Sequence, residues 1–388
     1  MQFRIDPKSG NRLSLLGFGC MRLPGSAALR EELVVSAVNS GINYFDTAYL
    51  YPGNETVLGN ILKKHNLRGK VFIADKLPHN KCKNTADFDR LFSESLNRLQ
   101  TDYIDYYLIH NLGSRDAWER LAILGIREWI AEKKEKGIIR EIGFSFHGKT
   151  KEFVPMLDVY AWDFCLMQYN YMNENYQAGT AGLKAIHERN MAAIIMEPLL
   201  GGQLAQNLPR AARELFNRTI PGRSPAAWAF KWLFDKPEVT VVLSGMNAKE
   251  QLAENIDIAC NTEAGSLTEE EKNIYGRVCG EISKAYKIPC TGCNYCMPCP
   301  SGVNIPSFFN AHNMSYVLGF FSGLQLFIGT IVGQGFPVTG PGACSGCGIC
   351  LTKCPQSINV PGCLKDVRKH LEPFYVRIAI SIFKRFIS

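Results

Sequence analysis

The chain has 388 residues and a mass of 43.4 kDa, enough for about two to three average domains or for one large barrel with a smaller module. Hydrophobic residues make up 46% and charged residues 20%, a balance that excludes extensive disorder. The formal charge of +7 is unevenly placed: residues 284–388 hold nine Lys or Arg and two Asp or Glu, while the part before them is neutral. The opening residues MQFRIDPKSGN carry charges and no apolar run, so no secretory signal of the usual kind is expected and a cytoplasmic location is. Fourteen cysteines in a reducing compartment are poor candidates for a disulfide framework and good ones for metal ligation.

From residue 14 to 260, short β-branched or aromatic runs alternate with amphipathic stretches of helix length. The predicted strands are LLGFGC (15–20), YFDTA (44–48), VFIADKL (71–77), IDYYLIH (104–110), REIGFSFH (140–147), DFCLMQYN (163–170), AAIIMEPL (192–199) and VTVVLSG (239–245). The predicted helices between and after them are EELVVSAVNSG, ETVLGNILKKH, ADFDRLFSESLNRLQ, WERLAILGIREWIAEKKEKG, TKEFVPMLDVY, AGLKAIHERN, PAAWAFKWLF and AKEQLAENIDIA. Eight such units predict a closed (β/α)8 barrel over residues 1–283, with an open doubly wound sheet as the alternative of the same local pattern.

In a barrel, chemistry gathers at the C-terminal ends of the strands. Asp46 ends the second predicted strand, Tyr51 follows it, Lys76 ends the third and His110 ends the fourth. Each alone reads as an ordinary satisfied or solvated residue; four at equivalent positions read as a site. FDTAYLY with Glu55 and LGNIL after it, VFIADKL, DYYLIH and IGFS together resemble the signatures of the aldo/keto reductase superfamily over nearly all of residues 14–260. The resemblance implies that Asp46, Tyr51, Lys76 and His110 form the catalytic tetrad of a nicotinamide-dependent carbonyl reductase. A free phenol near pKa 10 is too weak an acid at neutral pH, and a neighbouring ammonium favours its ionised form. Lys76 would supply that ammonium, Asp46 would hold it, and His110 would hydrogen-bond the substrate carbonyl.

The same resemblance implies that Ser145 and Gln168 take the nicotinamide carboxamide. Ser244, Gly245 and Met246, leading into a helix with Gln251 and Asn255, would take cofactor phosphate at a helix N-terminus. Three positions depart from the family pattern: Phe146 stands where Asn usually follows the Ser, Met196 stands where an aromatic ring usually stacks on the nicotinamide, and no Lys/Arg pair occupies Ser244 and Gln251, although Lys249 is near. NADPH and NADH both remain open as cofactors.

Between Ile288 and Thr352 there is no Asp, Glu, Lys or Arg, and nine of the fourteen cysteines lie from Cys290 onward. A second domain of different chemistry is therefore expected over 284–388. Cys290, Cys293, Cys296 and Cys299 are spaced C-x2-C-x2-C-x2-C and followed by Pro300; Cys344, Cys347, Cys350 and Cys354 are spaced C-x2-C-x2-C-x3-C and followed by Pro355. Two such runs point to a small α-rich ferredoxin-like domain with two 4Fe-4S clusters. The fourth Cys of each run then serves the other cluster, so the expected sets are Cys290, Cys293, Cys296, Cys354 and Cys344, Cys347, Cys350, Cys299. Two tetrahedral zinc sites are the alternative. Cys20, Cys82, Cys165, Cys260, Cys279 and Cys363 lack ligand spacing and read as buried small hydrophobes. CTGCNYCMPCPSGVNIP and CGICLTKCPQSINV, with GFSFHG and MEPLLGGQLA, resemble aldo/keto reductases fused to a ferredoxin-type module. Two clusters would add roughly −4 when oxidised, so the basic excess gives no support for a nucleic-acid partner.

The uncharged run YVLGFFSGLQLFIGTIV, from Tyr316 to Val332, approaches the length of a membrane span. A single crossing is excluded, because Cys299 and Cys344 should meet at one cluster. A hairpin packed on the barrel, a partner surface and a shallow membrane insertion stay open. The final FYVRIAISIFKRFIS places Arg377, Ser381, Lys384 and Arg385 on one helical face, the pattern of a helix covering the barrel or of a peripheral membrane contact.

Two functions fit these features. One is reversible hydride transfer between a nicotinamide and a small carbonyl or alcohol; the other is an iron–sulfur electron carrier or partner-docking protein with the barrel as scaffold. A hydride carries two electrons, each cluster moves one, and no flavin signature is visible. The clusters are thus structural, or serve a redox partner protein, or act with a further redox cofactor that the sequence does not declare.

Overall fold

A computed structural model describes residues 1–332, 339–374 and 376. Ten strands form in chain order: β1 (Phe3–Ile5), β2 (Arg12–Ser14), β3 (Leu16–Gly19), β4 (Tyr44–Asp46), β5 (Phe72–Leu77), β6 (Ile104–Ile109), β7 (Ile139–Phe146), β8 (Phe164–Gln168), β9 (Ala192–Met196) and β10 (Val241–Ser244). Strands β3 to β10 close a parallel barrel in sequence order, β10 pairing with both β9 and β3. All eight predicted barrel strands form, with ends that differ from the prediction by a few residues.

Period-two alternation decides what faces inward. The barrel interior is filled by Tyr44, Ala74, Tyr106, Leu108, Phe164, Leu166, Ala192, Ile194, Val241 and Leu243, joined by Leu13. Two residues further along five of these strands, on the same side, come Asp46, Lys76, His110, Gln168 and Met196. The site residues are the last inward positions of strands whose earlier inward positions are core. Between strands and helices lies a second apolar layer, in which Phe92 and Tyr107 meet at 4.8 Å and Phe146 and Phe153 also at 4.8 Å.

Three features depart from the sequence reading. The β1–β2 hairpin was not expected: its strands are three residues long, too short for a period to show. It closes the N-terminal end of the barrel, where Tyr106 Oη donates to Asp6 Oδ2 at 2.8 Å and accepts from Asn11 Nδ2 at 3.0 Å. The predicted helix WERLAILGIREWIAEKKEKG is two helices, Arg115–Ile123 and Ile126–Glu135, because Gly125 takes φ 83° between them. Helices Arg210–Thr219 and Glu269–Ala285 occupy stretches with no predicted element.

The chain separates into two compact units, Met1–Pro198 with Ala226–Thr268, and Leu199–Pro225 with Glu269–Ser388. The first contains the barrel. In the second, Ile305–Val317 and Phe320–Val332 form an antiparallel helix pair, turned at Gly319 with φ 101°. The uncharged run from 316 to 332 is therefore mostly one arm of a hairpin. Its Phe327 and Ile331 are buried in that unit's own core with Val303, Ile305, Phe308 and Val360, and Phe308 stacks on Phe327 at 5.2 Å. No helix among the described residues is long and apolar enough to cross a membrane. Arg377, Ser381, Lys384 and Arg385 lie outside the described residues.

Helices Asn54–Lys64 and Thr85–Leu99 approach so closely at Gly59 that a Cβ there would lie 2.6 Å from the Arg98 and Leu99 carbonyl oxygens. Backbone cannot retreat as a side chain can, so Gly59→Ala should lower the unfolding free energy by about 1–3 kcal/mol. Denaturant unfolding followed by circular dichroism measures this; an unchanged midpoint would show that the two helices can separate without cost.

Candidate active site and cysteine cavities

At the C-terminal end of the barrel, Lys76 is 1% exposed. Its Nζ donates to both Asp46 oxygens at 2.7 Å and to the Thr47 carbonyl at 2.6 Å. Burial pushes the Asp46 carboxyl up, and the Lys76 ammonium pulls the other way. The two charges share a site that would tolerate neither alone.

Tyr51 enters from the loop after β4. Tyr51 N donates to the Ala48 carbonyl at 2.9 Å, and Asn54 N donates to the Tyr51 carbonyl at 3.1 Å. Gly53, at φ 75°, then starts the helix Asn54–Lys64. The helix is anchored by Glu55, buried with Arg98 at 2.8 Å and with Ser95 Oγ donating at 2.5 Å. This turn brings the Tyr51 ring centroid to 5.0 Å from Lys76 Nζ and sets it edge-on to His110, with centroids 6.1 Å apart. His110 is buried, and burial, then Lys76, His147 and His79, hold its imidazole well below the usual histidine range. It is a neutral hydrogen-bonding group at pH 7.

Ser145 is the last residue but one of β7 and Gln168 ends β8, both buried. Ser145 Oγ accepts from Asn111 N at 2.7 Å, and Leu112 N donates to the Ser145 carbonyl at 2.8 Å. Ser145 thus fixes the loop that follows His110, where Asn111 takes φ 57°, and keeps one O–H and one lone pair for a ligand. Met196 pairs in register with Gln168 at the end of β9 and is partly buried. Phe146 is fully buried against Phe153 in the outer layer. Alternation along β7 turns position 146 away from the mouth.

Of the residues expected to meet phosphate, Ser244 and Asn255 are buried and bonded to each other, Asn255 Nδ2 donating to Ser244 Oγ at 3.0 Å. Gln251 accepts from Asn247 N at 3.0 Å, Met246 is buried, and Lys249 is paired with Glu32. Asn255 and Gln251 shape this turn through their own hydrogen bonds. The Cβ of Arg22, in the segment after β3, lies 3.8 Å from the Cβ position of Gly245, a proximity unreadable without the β3–β10 pairing.

In the second unit, the cysteines line two neighbouring pockets. Cys290, Cys293, Cys296 and Cys354 line the first, with Ile305, Phe309 and Val360 as apolar wall. Cys299, Cys344, Cys347 and Cys350 line the second, which Cys296 also borders. The chain bends round Cys293 through Gly292 at φ 67° and Asn294 at φ 63°. Burial, then the charges of Cys290, Cys293 and Cys354, push Cys296 up to about 12. Cys350 is raised by burial and by Cys344, Cys347 and Cys299. Each set is mutually repulsive as thiolates and suits a group that carries compensating positive charge. Of the other cysteines, Cys20, Cys82 and Cys165 are buried, but Cys260, Cys279 and Cys363 are only partly so, because they lie on helices along which burial alternates with exposure.

The aldo/keto reductase family model matches residues 15–271, and a 4Fe-4S dicluster domain model matches residues 289–359. The chain belongs to the aldo/keto reductase family. It is an oxidoreductase of that family with an iron–sulfur domain attached. It is 26% identical over 309 residues to the uncharacterized oxidoreductase YqkF of Bacillus subtilis, covering 71% of this chain and 96% of that protein. Among solved structures, the holo form of aldo-keto reductase AKR11C1 from Bacillus halodurans superposes with a TM-score of 0.58 at 25% identity, covering 72% of this chain and 96% of that one. An aldo-keto reductase from Klebsiella pneumoniae in complex with NADPH, 20% identical, gives 0.59 over 72% and 95% and bears on the fold alone.

His79, in the loop after β5, makes acid sensitivity testable. Arg120 donates to its Nδ1 at 3.1 Å, so Nδ1 must be the bare nitrogen, and Nε2 donates to the Asn111 carbonyl at 3.4 Å. Burial, opposed by that carbonyl and aided by Arg120, pushes His79 down to about 4. Between about 6.5 and 4 the unfolded chain takes up a proton here that the folded chain refuses, so stability falls as pH falls through that window. His79→Gln should reduce the slope by up to ~1.4 kcal/mol per pH unit. Urea titrations of both proteins from pH 7 to 4.5 measure it, and parallel slopes would remove His79 from the account.

Proposed function

We propose that the barrel reduces a small carbonyl, and oxidises the alcohol in reverse, with NADPH or NADH at its mouth. The observation that carries the reading is the Lys76 ammonium held by Asp46 and the Thr47 carbonyl beside the Tyr51 ring. When bound, the nicotinamide supplies a hydride to the carbonyl carbon. Tyr51 delivers the proton to the carbonyl oxygen, made acidic enough by the ammonium, which favours the phenolate left behind. Asp46 keeps Lys76 charged in a buried place. His110, neutral, donates a hydrogen bond to the same oxygen and orients it. Ser145 and Gln168 would hold the carboxamide, Ser145 having both an O–H and a lone pair to give. Ser244, Gly245 and Met246, with the helix carrying Gln251 and Asn255, would border the cofactor phosphates.

We propose further that the two cavities hold two 4Fe-4S clusters, one on Cys290, Cys293, Cys296 and Cys354, the other on Cys344, Cys347, Cys350 and Cys299. Four thiols round a cavity suit a cluster; a zinc ion needs its ligands on one point about 2.3 Å away, and among the described residues no three His, Cys, Asp or Glu are so arranged. The clusters, when bound, supply one-electron transfer to a partner protein. On this reading residues 1–283 and 284–388 are the two functional domains.

Tyr51→Phe should lower carbonyl turnover by about 10²–10⁴ while leaving nicotinamide binding intact, measured anaerobically on reconstituted protein with a carbonyl panel. Cluster reduction by an external donor with no carbonyl turnover in the unaltered protein would assign the chain instead to electron carriers. For the clusters, iron and sulfide analysis should give about eight of each per chain. Cys354→Ser should perturb the cluster of the first cysteine run and Cys299→Ser that of the second, resolved by paramagnetic resonance of the reduced proteins. Each substitution perturbing the cluster of its own run would reject the crossed ligation.

A further inference from the structure

The helix pair Ile305–Val317 and Phe320–Val332 ends in an apolar tip that the fold leaves uncovered. The two helices touch at Gly323, where a Cβ would lie 2.4 Å from the Ser315 Cβ and 2.6 Å from the Ala311 carbonyl oxygen, and Phe327 and Ile331 join the core of this unit. Positions 323, 327 and 331 thus share the inward face of the second helix, and 321, 325 and 329 face out. Gln325 and Gly329 bring little apolar surface to that face. Phe321 brings a large one and is 83% exposed, with Leu318 at 62% and Leu326, further along, at 41%. The exposed apolar surface is therefore concentrated at the turn.

The base of the tip is braced by rings and bordered by cations. His370, from the last turn of helix Val360–Leu371, stacks on Tyr316 with centroids 4.7 Å and planes 12° apart, meets Phe320 edge-on at 5.6 Å, and has its Nε2 2.9 Å from Ser315 Oγ. Lys287 Nζ lies 5.2 Å from the Tyr316 ring centroid. Lys287 and Lys369, which adjoins His370, are both exposed. Glu372 is paired with Arg368 at 3.5 Å; Lys287, Lys365, Arg368 and Lys369 against Asp366 and Glu372 leave positive charge in excess. Beyond His370 the sequence continues as FYVRIAISIFKRFIS, with Arg377, Lys384 and Arg385 and no acid.

A protein partner is held in register by complementary charges, and between residues 288 and 352 this chain has no charged side chain to offer one. A bilayer asks only for an order in depth: apolar side chains in hydrocarbon, a phenol at the interface and cations at anionic headgroups. Leu318 and Phe321, then Tyr316, then Lys287 and Lys369 follow that order, with Tyr316 about one helical turn from Gly319. We propose that the tip 318–321 inserts shallowly into an anionic membrane surface, with Tyr316 at the interface and Lys287 and Lys369 against lipid phosphates. This belongs to the cysteine-bearing unit and does not depend on the carbonyl chemistry of the barrel.

Flotation of the full, iron-loaded chain with vesicles tests it. The chain should bind vesicles of phosphatidylcholine with phosphatidylglycerol, bind phosphatidylcholine alone less, and be released by salt. Phe321→Glu should weaken binding about tenfold and Lys287→Gln about fivefold, with thermal melting by circular dichroism unchanged in both. Phe321→Trp should add fluorescence that brominated phosphatidylcholine in the mixed vesicles quenches beyond any quenching of the unaltered protein. No binding of the unaltered chain to mixed vesicles, equal binding by Phe321→Glu, or no added quenching with Phe321→Trp overturns the proposal. So does sedimentation velocity without lipid in which the unaltered chain is a dimer and Phe321→Glu a monomer, because a second copy then covers the tip. Binding that survives Phe321→Glu but is lost when the chain ends at Val376 assigns the membrane contact to 377–388 and overturns the tip.

Discussion

The barrel mouth depends on one buried cation. Lys76 sits among carbonyl and carboxylate oxygens at the end of a strand whose preceding inward residue is alanine, and water does not help to solvate it. A charge in such a place persists only if its partners are fixed before it arrives. β4 and β5 do this by pairing directly: Asp46 is in register with Ala74, two residues short of Lys76, so the slant of the parallel ladder brings carboxylate to ammonium. Thr47 N donates to the Ala74 carbonyl at 2.8 Å, which holds the Thr47 carbonyl where Lys76 needs a third acceptor. Tyr51 and His110 are then arranged round a charge that the sheet itself has positioned.

The neutral state of His110 follows from the same charge. An imidazolium beside the Lys76 ammonium in a dry site would be opposed by both burial and repulsion. The site therefore sets a phenol and a neutral imidazole beside a buried ammonium–carboxylate pair.

The barrel was legible because eight strand-like runs, each followed by a helix-length stretch, survive an error at any one of them. Asp46, Lys76 and His110 could be placed because each stands at the end of such a run. The cysteine runs were legible because ligand spacing is local. The hydrogen bonds between His147 and Gln177 and between Gln177 and Gln168 were not, since they join residues 30 and 9 positions apart through a left-handed residue, Gln177 at φ 55°, that no local pattern announces. Phe146 was legible as a departure but not as a harmless one; only the packing against Phe153 shows which way it faces. The break at Gly125 escaped because apolar spacing continues through it, and β1 and β2 because three residues hold no periodicity.

The division of the chain is a further case in which local signals and packing describe different things. Composition changes near residue 284, where charge disappears and cysteines begin, yet Leu199–Pro225 groups with the cysteine-bearing unit. Within that unit Gln203 Nε2 donates to the Cys290 carbonyl at 2.5 Å, Tyr286 Oη donates to the Asn207 carbonyl at 2.9 Å, and Phe216 stacks edge-on to Tyr275 at 5.8 Å. Arg223 is paired with Glu271, both largely buried. A module merely appended to a barrel would need one covalent crossing, but this polypeptide passes between its two units at 198–199, 225–226 and 268–269. The stretch that follows β9 is therefore part of the fold that carries the first cysteine of the cluster motifs, and Gly201→Ala, whose Cβ would press on the Thr291 carbonyl, would strain the backbone between Cys290 and Cys293. The cysteine unit cannot be cut away at residue 284 without removing the partners of its own helix Glu269–Ala285.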